Sequence, residues 1–173
     1  IVSTRFKDRT FQRSLCDNYL YDAITRTFIY DNGACQTGRG TDFARNRLKV
    51  QFIKYSREHG PDGYVLRCDI KSYFGSTPHE VAKQVIAKRV KDEWALQHVY
   101  ALIDSYDTGD QIGLGLGSQI TQLIQLAVLC DLDHHIKEKL RVKYYERYMD
   151  DLILIHKSKE FLRKCLEVIS SEL

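Results

Sequence analysis

The chain has 173 residues, a length that allows one ordinary domain or part of a larger one. Its residues are 43% hydrophobic and 28% charged, a composition that indicates a globular chain and excludes a disordered one. Its net charge of +3 is too small to identify a polyanionic partner by itself. No apolar run approaches the roughly 20 residues of a transmembrane helix, and no signal-peptide pattern is present. We therefore expect a cytoplasmic protein without a membrane partner. Because the chain begins with Ile1, we interpret it as a fragment of a longer protein.

The cysteines predict reduced thiols in the core rather than disulfides or a zinc site. They are odd in number, widely spaced and embedded in apolar patterns, and none has the spacing of a zinc ligand set. They are Cys16, Cys35, Cys68, Cys130 and Cys165.

The first third of the chain predicts two helices separated by turns. Apolar residues recur at helical intervals over residues 11–27, and Asp31-Asn32-Gly33 then breaks the pattern. A glycine–arginine turn over residues 37–41 precedes a second helix from Asp42 to Tyr55. The predicted inner side of this helix consists of Phe43, Leu48, Phe52 and Tyr55.

The second helix lies in a basic stretch. Arg45, Arg47, Lys49 and Lys54 lie between Arg39 and Arg57, and Asp42 alone opposes them. Such a surface either follows the phosphates of a nucleic acid or is a solvated helix face. The charge pattern leaves both interpretations open.

A buried strand is predicted after the break at residues 60–63. Tyr64 to Ile70 is mostly apolar and ends in Asp69. An isolated buried carboxylate is costly unless it is paired or bound to a metal. Asp69 is therefore the first candidate site residue.

The middle of the chain predicts three helices and a loop. A helix starting at Pro78 would turn Val81, Val85 and Ile86 inward, and another would run from Glu93 to Ser105. After a glycine-rich loop at residues 109–117, Ser118 would cap a long helix that continues to about Lys139. The apolar first half of that helix predicts a central, buried position.

A hairpin and a final helix complete the predicted α+β fold. Residues 143–148 and 152–155 alternate like antiparallel strands, with Asp150 and Asp151 on the turn between them. Residues 159–173 are amphipathic, with Phe161, Leu162, Cys165, Leu166 and Ile169 as the apolar face. The order of elements predicts an antiparallel sheet with helices packed on one face.

The carboxylates allow two interpretations. Asp150 and Asp151 could be ordinary turn residues, since aspartate is common in turns. If the two strand regions are neighbours in one sheet, however, Asp69 converges with Asp150 and Asp151. Hard oxygen ligands select Mg²⁺ or Mn²⁺, and a pair of such ions suits phosphoryl transfer.

Three segments resemble the motifs of reverse transcriptases. Residues 69–76 (Asp-Ile-Lys-Ser-Tyr-Phe-Gly-Ser) resemble the first catalytic motif, and residues 148–151 (Tyr-Met-Asp-Asp) resemble the second. Residues 116–122 lie where the family has a glycine motif. The resemblance extends from about Arg9 to the C-terminus and implies a bacterial reverse transcriptase of the group II intron-like superfamily.

The resemblance implies a right-hand polymerase without its thumb, and we therefore expect the fragment to be weakly active or inactive by itself. Residues 1–60 would form the helix-rich fingers, including the turn at residues 37–41. Residues 61–173 would form the palm, an antiparallel sheet packed on helices, with part of the junction between fingers and palm in residues 75–117. The surface that docks the thumb would be exposed and could support a homodimer.

The resemblance also implies the roles of individual residues. Asp69, Asp150 and Asp151 would be catalytic, and with the carbonyl of Ile70 they would bind two Mg²⁺ ions, for which Mn²⁺ could substitute. Four residues would contact the incoming deoxynucleotide: Arg39, Phe74, Leu116 and Gly117. Primer or template contacts would come from Tyr148, Met149, Lys7, Arg9, Arg13 and Arg45.

For two of these positions, the residue type alone also allows a purely structural role. Phe74 could be a core aromatic following a strand, and Arg39 could be a solvated loop residue. The implied partners are an RNA template, a DNA or RNA primer, and dNTPs.

The glycine motif departs from the family pattern. Leu116 and Gln122 stand where glutamine and proline are usual, which resembles the diversity-generating retroelement branch. An RNA-dependent RNA polymerase, a nucleotide cyclase and an inert nucleic-acid-binding scaffold of a mobile or defence element are the alternatives.

Overall fold

The computed structural model describes residues 5–107 and 109–173. In chain order, the elements are α1 (Phe6–Leu15), a π-helical segment (Cys16–Leu20), α2 (Tyr21–Thr25), α3 (Thr41–His59), β1 (Tyr64–Asp69), α4 (Tyr73–Ser76), α5 (His79–Arg89), α6 (Glu93–Asp104), α7 (Gln119–Val128), α8 (Cys130–His134), a second π-helical segment (His135–Lys139), β2 (Tyr144–Tyr148), β3 (Asp151–His156) and α9 (Lys159–Glu172). The predicted α+β class is confirmed. No helix among the described residues is long and apolar enough to cross a membrane.

These elements form two compact units, each built from two separate parts of the chain. The first unit contains the described residues of 5–28 and 71–129, and the second contains residues 29–70 and 130–173. The expected division into fingers and palm at residue 60 concerns functional subdomains, and it stays a prediction.

The first unit is helical and is held together by one apolar core. Its helices are amphipathic, so each places a stripe of aliphatic side chains inward. On α5 the inner positions are Ala82, Val85 and Ile86, while the predicted Val81 is 39% exposed at the flank of the stripe. Other buried members of this core are Leu15, Leu20, Ile24, Val99, Ile103, Ile120, Leu123 and Ile124.

The predicted long helix over residues 118–139 is interrupted. The backbone leaves the helical conformation at Leu129 (φ −88°, ψ 3°), and the chain continues through α8 into the second π-helical segment. The first half is buried as predicted. Ser118 occupies the N-cap position, but its hydroxyl donates to Gln12 Oε1 at 3.0 Å instead of accepting from the helix backbone.

The second unit contains an antiparallel sheet with the strand order β1-β3-β2. β2 and β3 form the predicted hairpin, whose loop consists of Met149 and Asp150. Asp151 is the first residue of β3 and not a turn residue. Alternation along the strands defines a carboxylate face, which carries Arg67, Asp69, Glu146, Asp151 and Ile153.

Helices cover both faces of this sheet and not one face as predicted. α9 packs against β1 and β3 on the face opposite the carboxylates, where the rings of His156 and Phe161 are 4.2 Å apart. α3 packs against β2 on the carboxylate face, where Tyr55 meets Tyr144 edge to face. The carboxylate face is therefore covered near β2.

The prediction that β1 is largely buried was wrong. Tyr64, Val65, Arg67 and Asp69 are exposed, with Val65 at 51%. β1 is an edge strand, and its run of apolar residues does not signify cover on both faces. The argument that Asp69 needs a partner because it is buried therefore fails.

In two helices the buried face differs slightly from the predicted one. On α3 the inner side passes through Leu48, Gln51 and Tyr55, while Phe52 is 39% exposed. On α9 the buried positions are Leu162, Cys165 and Ile169, while Leu166 lies at the exposed side. In both helices the buried residues repeat at intervals of three or four.

All five cysteines are free thiols, in line with the prediction of reduced side chains. Cys16, Cys130 and Cys165 are buried, and burial raises the pKa of Cys16 to about 11. Cys68 is half-buried. Cys35 is exposed, so the prediction of a core position was wrong for this residue.

We expect Gly63→Ala to destabilise the second unit. A Cβ at Gly63 would overlap the ring of Tyr55, whose hydroxyl donates to the carbonyl of Asp62 at 2.8 Å. Overpacking of this kind costs about 1–3 kcal/mol of the free energy of unfolding. Urea unfolding would measure it. Gly75→Ala is the control, because a Cβ at Gly75 meets nothing within 4 Å, and equal effects of both variants would contradict the prediction.

Candidate functional site

The sheet brings the predicted catalytic carboxylates into one region of the second unit. Asp69, the last residue of β1, is directly opposite Asp151, the first residue of β3. Asp151 is also opposite Tyr148 on its other side, and Asp150 precedes it in the hairpin loop. Residues opposite one another in an antiparallel pair have Cβ atoms about 4.5–5.5 Å apart, and like charges there are destabilising. This juxtaposition therefore requires compensation.

Arg67 provides part of that compensation. Its Nε and Nη2 atoms donate to Asp151 Oδ1 at 3.0 and 2.8 Å. The hydrogen bond and charge of Asp151, together with the charge of Asp69, raise the pKa of Arg67. Within the described part of the chain, neither Asp69 nor Asp150 forms a salt bridge. Asp151 is thus held by a cation of the protein itself, unlike the other two carboxylates.

The donor chemistry of the three carboxylates fits a hard divalent cation, since Mg²⁺ and Mn²⁺ prefer carboxylate oxygens. Over residues 5–107 and 109–173, however, no three His, Cys, Asp or Glu side chains converge closely enough to hold a metal ion. The engagement of Asp151 by Arg67 removes one oxygen donor from such a cluster. Asp69 and Asp150 are the two carboxylates that remain available, and Ile70 directly follows β1.

A buried ion pair holds the hairpin loop in place. Arg147 is fully buried and contacts Asp133 through Nε and Nη2, the latter at 2.7 Å. Tyr145 donates its hydroxyl to the same carboxylate at 2.6 Å. Arg147 Nη1 donates to the carbonyl of Met149 at 2.8 Å, where the backbone has a left-handed φ of 55°. The loop that carries Asp150 is thereby tied to α8.

A second network fixes the chain beside β2. The amide of Gly33 donates to the carbonyl of Arg147, and the amide of Arg147 donates to the carbonyl of Asp31. The buried carboxylate of Asp31 accepts from Arg47, from Gln51 and from Lys137. Residues 31–33 therefore lie along the outer edge of β2.

Arg39 is anchored to the same segment. Its Nη1 atom donates to the carbonyls of Tyr30 and Asn32 at 3.0 and 2.8 Å. Its guanidinium also lies 5.1 Å from the ring centroids of both Tyr30 and Phe43. Arg39 is thus not a freely solvated loop residue, and its contact with an incoming triphosphate stays a prediction.

The basic stretch is only partly a solvated face. Arg47 is bound to Asp31, whereas Arg45 is exposed and lies 3.8 Å from Asp42.

The two predicted primer contacts lie at the hairpin. Tyr148 is half-buried beside the carboxylates. In the loop, Met149 Sδ is 3.6 Å from Cys35 Sγ.

The other predicted site residues belong to the first unit. Phe74 lies in α4, half-buried, with its ring against that of Tyr73. Tyr73 is the member of this pair that is buried, and its hydroxyl donates to Gln125. Leu116 is 65% exposed, and Gly117 has a φ of 96° that favours glycine.

The predicted template residues of the first unit lie on α1. Lys7 and Arg9 are exposed, and Arg13 is paired with Asp17 one turn away. Their contact with a template stays a prediction.

Sequence reasoning missed Arg67, Asp133, Arg147 and Glu146. A usable signal for Arg67 was its spacing of two from Asp69, which places both on one face of a strand. For Glu146 and Arg147 the signal was a pair of charges inside an otherwise aromatic strand. Their partners are distant in sequence, so pattern alone could not identify them.

No protein-family model and no curated protein sequence matches this chain. Solved structures do match. They include telomerase from Candida albicans in complex with the TWJ fragment of telomeric RNA, at 10% identity and a TM-score of 0.61, covering 94% of this chain and 30% of that one. Apo telomerase from Candida tropicalis truncated from the C-terminal domain matches at 13% identity and 0.60, covering 98% and 41%. Apo telomerase from Candida tropicalis matches at 12% and 0.60, covering 95% and 32%.

The chain therefore spans less than half the length of these telomerase structures. At 10–13% identity the likeness concerns the fold alone. The chain has a reverse-transcriptase-like fold, the fold that these polymerases contain.

Proposed function

We propose that this chain is the catalytic part of an RNA-directed DNA polymerase that transfers deoxynucleotides onto a primer 3′-hydroxyl. The observation that carries the proposal is the strand register, which places Asp69 opposite Asp151 with Asp150 in the adjoining loop. The reverse-transcriptase-like fold supports the same chemistry. An RNA template is also supported by the telomerase neighbour that is bound to a fragment of telomeric RNA.

In this proposal the three carboxylates have different tasks. Asp69 and Asp150, together with the carbonyl of Ile70, hold divalent cations, which when bound activate the attacking hydroxyl and neutralise the departing pyrophosphate. Asp151 supports the site less directly, because Arg67 already neutralises it. Arg147 fixes the loop that presents Asp150.

The remaining assignments follow the sequence resemblance. Arg39, Phe74, Leu116 and Gly117 contact the nucleotide, with Phe74 selecting deoxyribose. Tyr148 and Met149 lie at the primer terminus, and exposed cations such as Arg45 contact the template. Residues 1–60 act as fingers and 61–173 as palm. The resemblance at Leu116 and Gln122 supports a relation to bacterial diversity-generating retroelement polymerases.

Primer extension on an RNA template with dNTPs and Mg²⁺ tests the proposal. Asp69→Asn and Asp150→Asn should each lower the rate by at least about a hundredfold, because each removes an anion that holds the cations. Glu167→Gln, at an exposed glutamate of α9, is the matched control and should extend at the parent rate. Equal rates for the Asp150 variant and the parent would refute the assignment.

A metal titration tests the same site without activity. Mn²⁺ should raise the Tm of the parent and of Glu167→Gln, and should leave that of Asp150→Asn unchanged. Incorporation of ribonucleotides as readily as deoxynucleotides would instead support an RNA-dependent RNA polymerase.

One observation favours a second candidate, a nucleic-acid-binding scaffold. The salt bridge between Arg67 and Asp151 leaves a carboxylate set that does not form a three-ligand cluster among the described residues. A scaffold would bind a primer–template duplex and show neither extension nor stabilisation by Mn²⁺.

A further inference from the structure

Glu146 is a buried carboxylate that accepts no hydrogen bond within residues 5–107 and 109–173. It lies in the middle of β2 on the carboxylate face, opposite Ile153, and is only 3% exposed. Neither Oε1 nor Oε2 accepts a hydrogen bond from any described residue. Buried carboxylates are normally paired or hydrogen-bonded, because an unpaired one is costly. Two orphaned oxygens on one side chain therefore indicate a missing donor.

The nearby cations of the protein are already engaged. Arg47 donates from Nε to Asp31 Oδ1, and Arg67 donates twice to Asp151. Arg45, which also lines the pocket, lies 3.8 Å from Asp42. Burial raises the pKa of Glu146 to about 7, and the negative charge of Asp31 contributes in the same direction, while Arg47 opposes both. The second unit thus does not supply the donor that Glu146 lacks.

Glu146 lines a pocket of about 220 Å³ between α3 and the sheet. Ala44, Leu48 and Ile153 supply its apolar lining, and polar or charged side chains supply the rest: Thr41, Arg45, Arg67, Tyr148 and Asp151. A water molecule occupies about 30 Å³ in the liquid, so the space exceeds what one or two bridging waters need. It is also smaller than a typical drug-binding cavity, and suits one small planar group.

We propose that this pocket binds a planar, amidine-type group that presents two adjacent N–H donors to the carboxylate of Glu146. Two parallel N–H···O bonds match two oxygens of one carboxylate, as in arginine–carboxylate pairs. The apolar side chains of Leu48 and Ile153 suit the flat faces of such a group. Its source is either an amidinium or guanidinium cation, or the N1–H and N2–H₂ edge of a guanine base.

A divalent cation is a poorer match for this pocket. Asp151 is the other carboxylate that lines it, and Arg67 already occupies that side chain. The rest of the lining offers hydroxyl oxygens but no further carboxylate, the ligand that Mg²⁺ and Mn²⁺ prefer. The pocket adjoins the proposed polymerase site through Asp151 and Tyr148, but the proposal does not rest on polymerase activity, because the predicted event is binding without reaction.

The experiment uses benzamidine and guanosine as probes, followed by NMR of the methyl groups of Ala44 and Ile153. Benzamide and inosine are the matched probes, because each lacks one of the two adjacent N–H donors. We expect at least one of benzamidine and guanosine to bind at least about tenfold more tightly than its matched probe. Benzamidine binding alone identifies a cation as the source, and guanosine binding identifies a base.

Two variants make the test specific. Glu146→Gln should weaken binding at least about tenfold, whereas Glu167→Gln should bind like the parent. Leu48→Phe keeps Glu146 but fills the pocket, so it should also weaken binding. This variant replaces Glu146→Gln in the test if Glu146→Gln does not fold. The proposal is overturned if neither probe binds better than its matched control, if Glu146→Gln binds equally well, or if a crystal structure with saturating benzamidine shows only waters on Glu146.

Discussion

Replacing Asp133 by asparagine should lower the free energy of unfolding by about 3–5 kcal/mol. The substitution keeps the shape of the side chain but leaves the guanidinium of Arg147 buried without its counter-charge, and breaking a buried pair from one side costs about this much. The hydroxyl of Tyr145 would also lose its charged acceptor. Chemical denaturation would measure the loss, which is large beside the total stability of a small domain.

Glu160→Gln is the matched control for this result. Glu160 is paired with Lys164 on the surface of α9, where both side chains are largely exposed. Such pairs contribute little, so the control should unfold almost like the parent. The double variant Asp133→Leu with Arg147→Met should be more stable than Asp133→Asn, since it removes both buried charges. A small loss in Asp133→Asn would mean that Arg147 finds another partner.

The same substitution should loosen the hairpin. Arg147 holds the carbonyl of Met149, and Asp133 fixes the guanidinium that does so. Amide hydrogen exchange at Asp150 and Asp151 should therefore be faster in Asp133→Asn than in the parent. This increase in exchange rate should exceed the increase measured for amides in the helices of the first unit.

Glu146→Gln should remove a pH dependence of stability. The pKa of Glu146 is raised from 4.5 to about 7 in the folded chain, so between these values the native state binds more protons than the unfolded state. The free energy of unfolding of the parent therefore falls as the pH rises through this window, by roughly 3 kcal/mol at most, and the stabilising contribution is complete only below about pH 4.5.

The measurement is the difference in the free energy of unfolding between the parent and Glu146→Gln at pH 4.5, 6 and 8. Glutamine cannot ionise, so the free energy of unfolding of the variant should rise relative to that of the parent as the pH rises. At pH 8 the variant should be at least as stable as the parent. Glu167→Gln should track the parent at every pH because Glu167 is exposed. A difference that does not change with pH would show that Glu146 ionises normally.

Much of the fold follows from local patterns in the sequence. The alternation of aromatic and β-branched residues identified the hairpin, and proline or glycine marked the breaks before α5 and β1. The adjacency of β1 and β3, on which the convergence of Asp69 with Asp151 depended, is present in the structure. Local chemistry was sufficient for the hairpin, because a short turn and strand alternation determine the register of β2 with β3. The pairing of β1 with β3 joins strands that are distant in sequence, and the sequence argument could state it only as a condition.

Other features depend on which elements cover which face, and local patterns do not contain that information. Tyr64 and Val65 are apolar but lie on an exposed edge strand. The helix break at Leu129 coincides with the passage of the chain from the first unit to the second, and no proline or glycine marks it. Neighbouring residues of β2 point to opposite faces, so Glu146 faces a pocket while Arg147 meets Asp133.

Residues 31–33 occupy one edge of the sheet, so a further strand would join the sheet at its other edge, beside β1. They hydrogen-bond the outer edge of β2 and thereby satisfy backbone groups there. Among the described residues, β1 has a strand partner on one side only, and an edge strand offers unpaired N–H and C=O groups to another strand. A strand from any source would therefore be added beside β1 and would run alongside Asp69. Extension of the sheet and access to the carboxylates are consequently coupled on this edge.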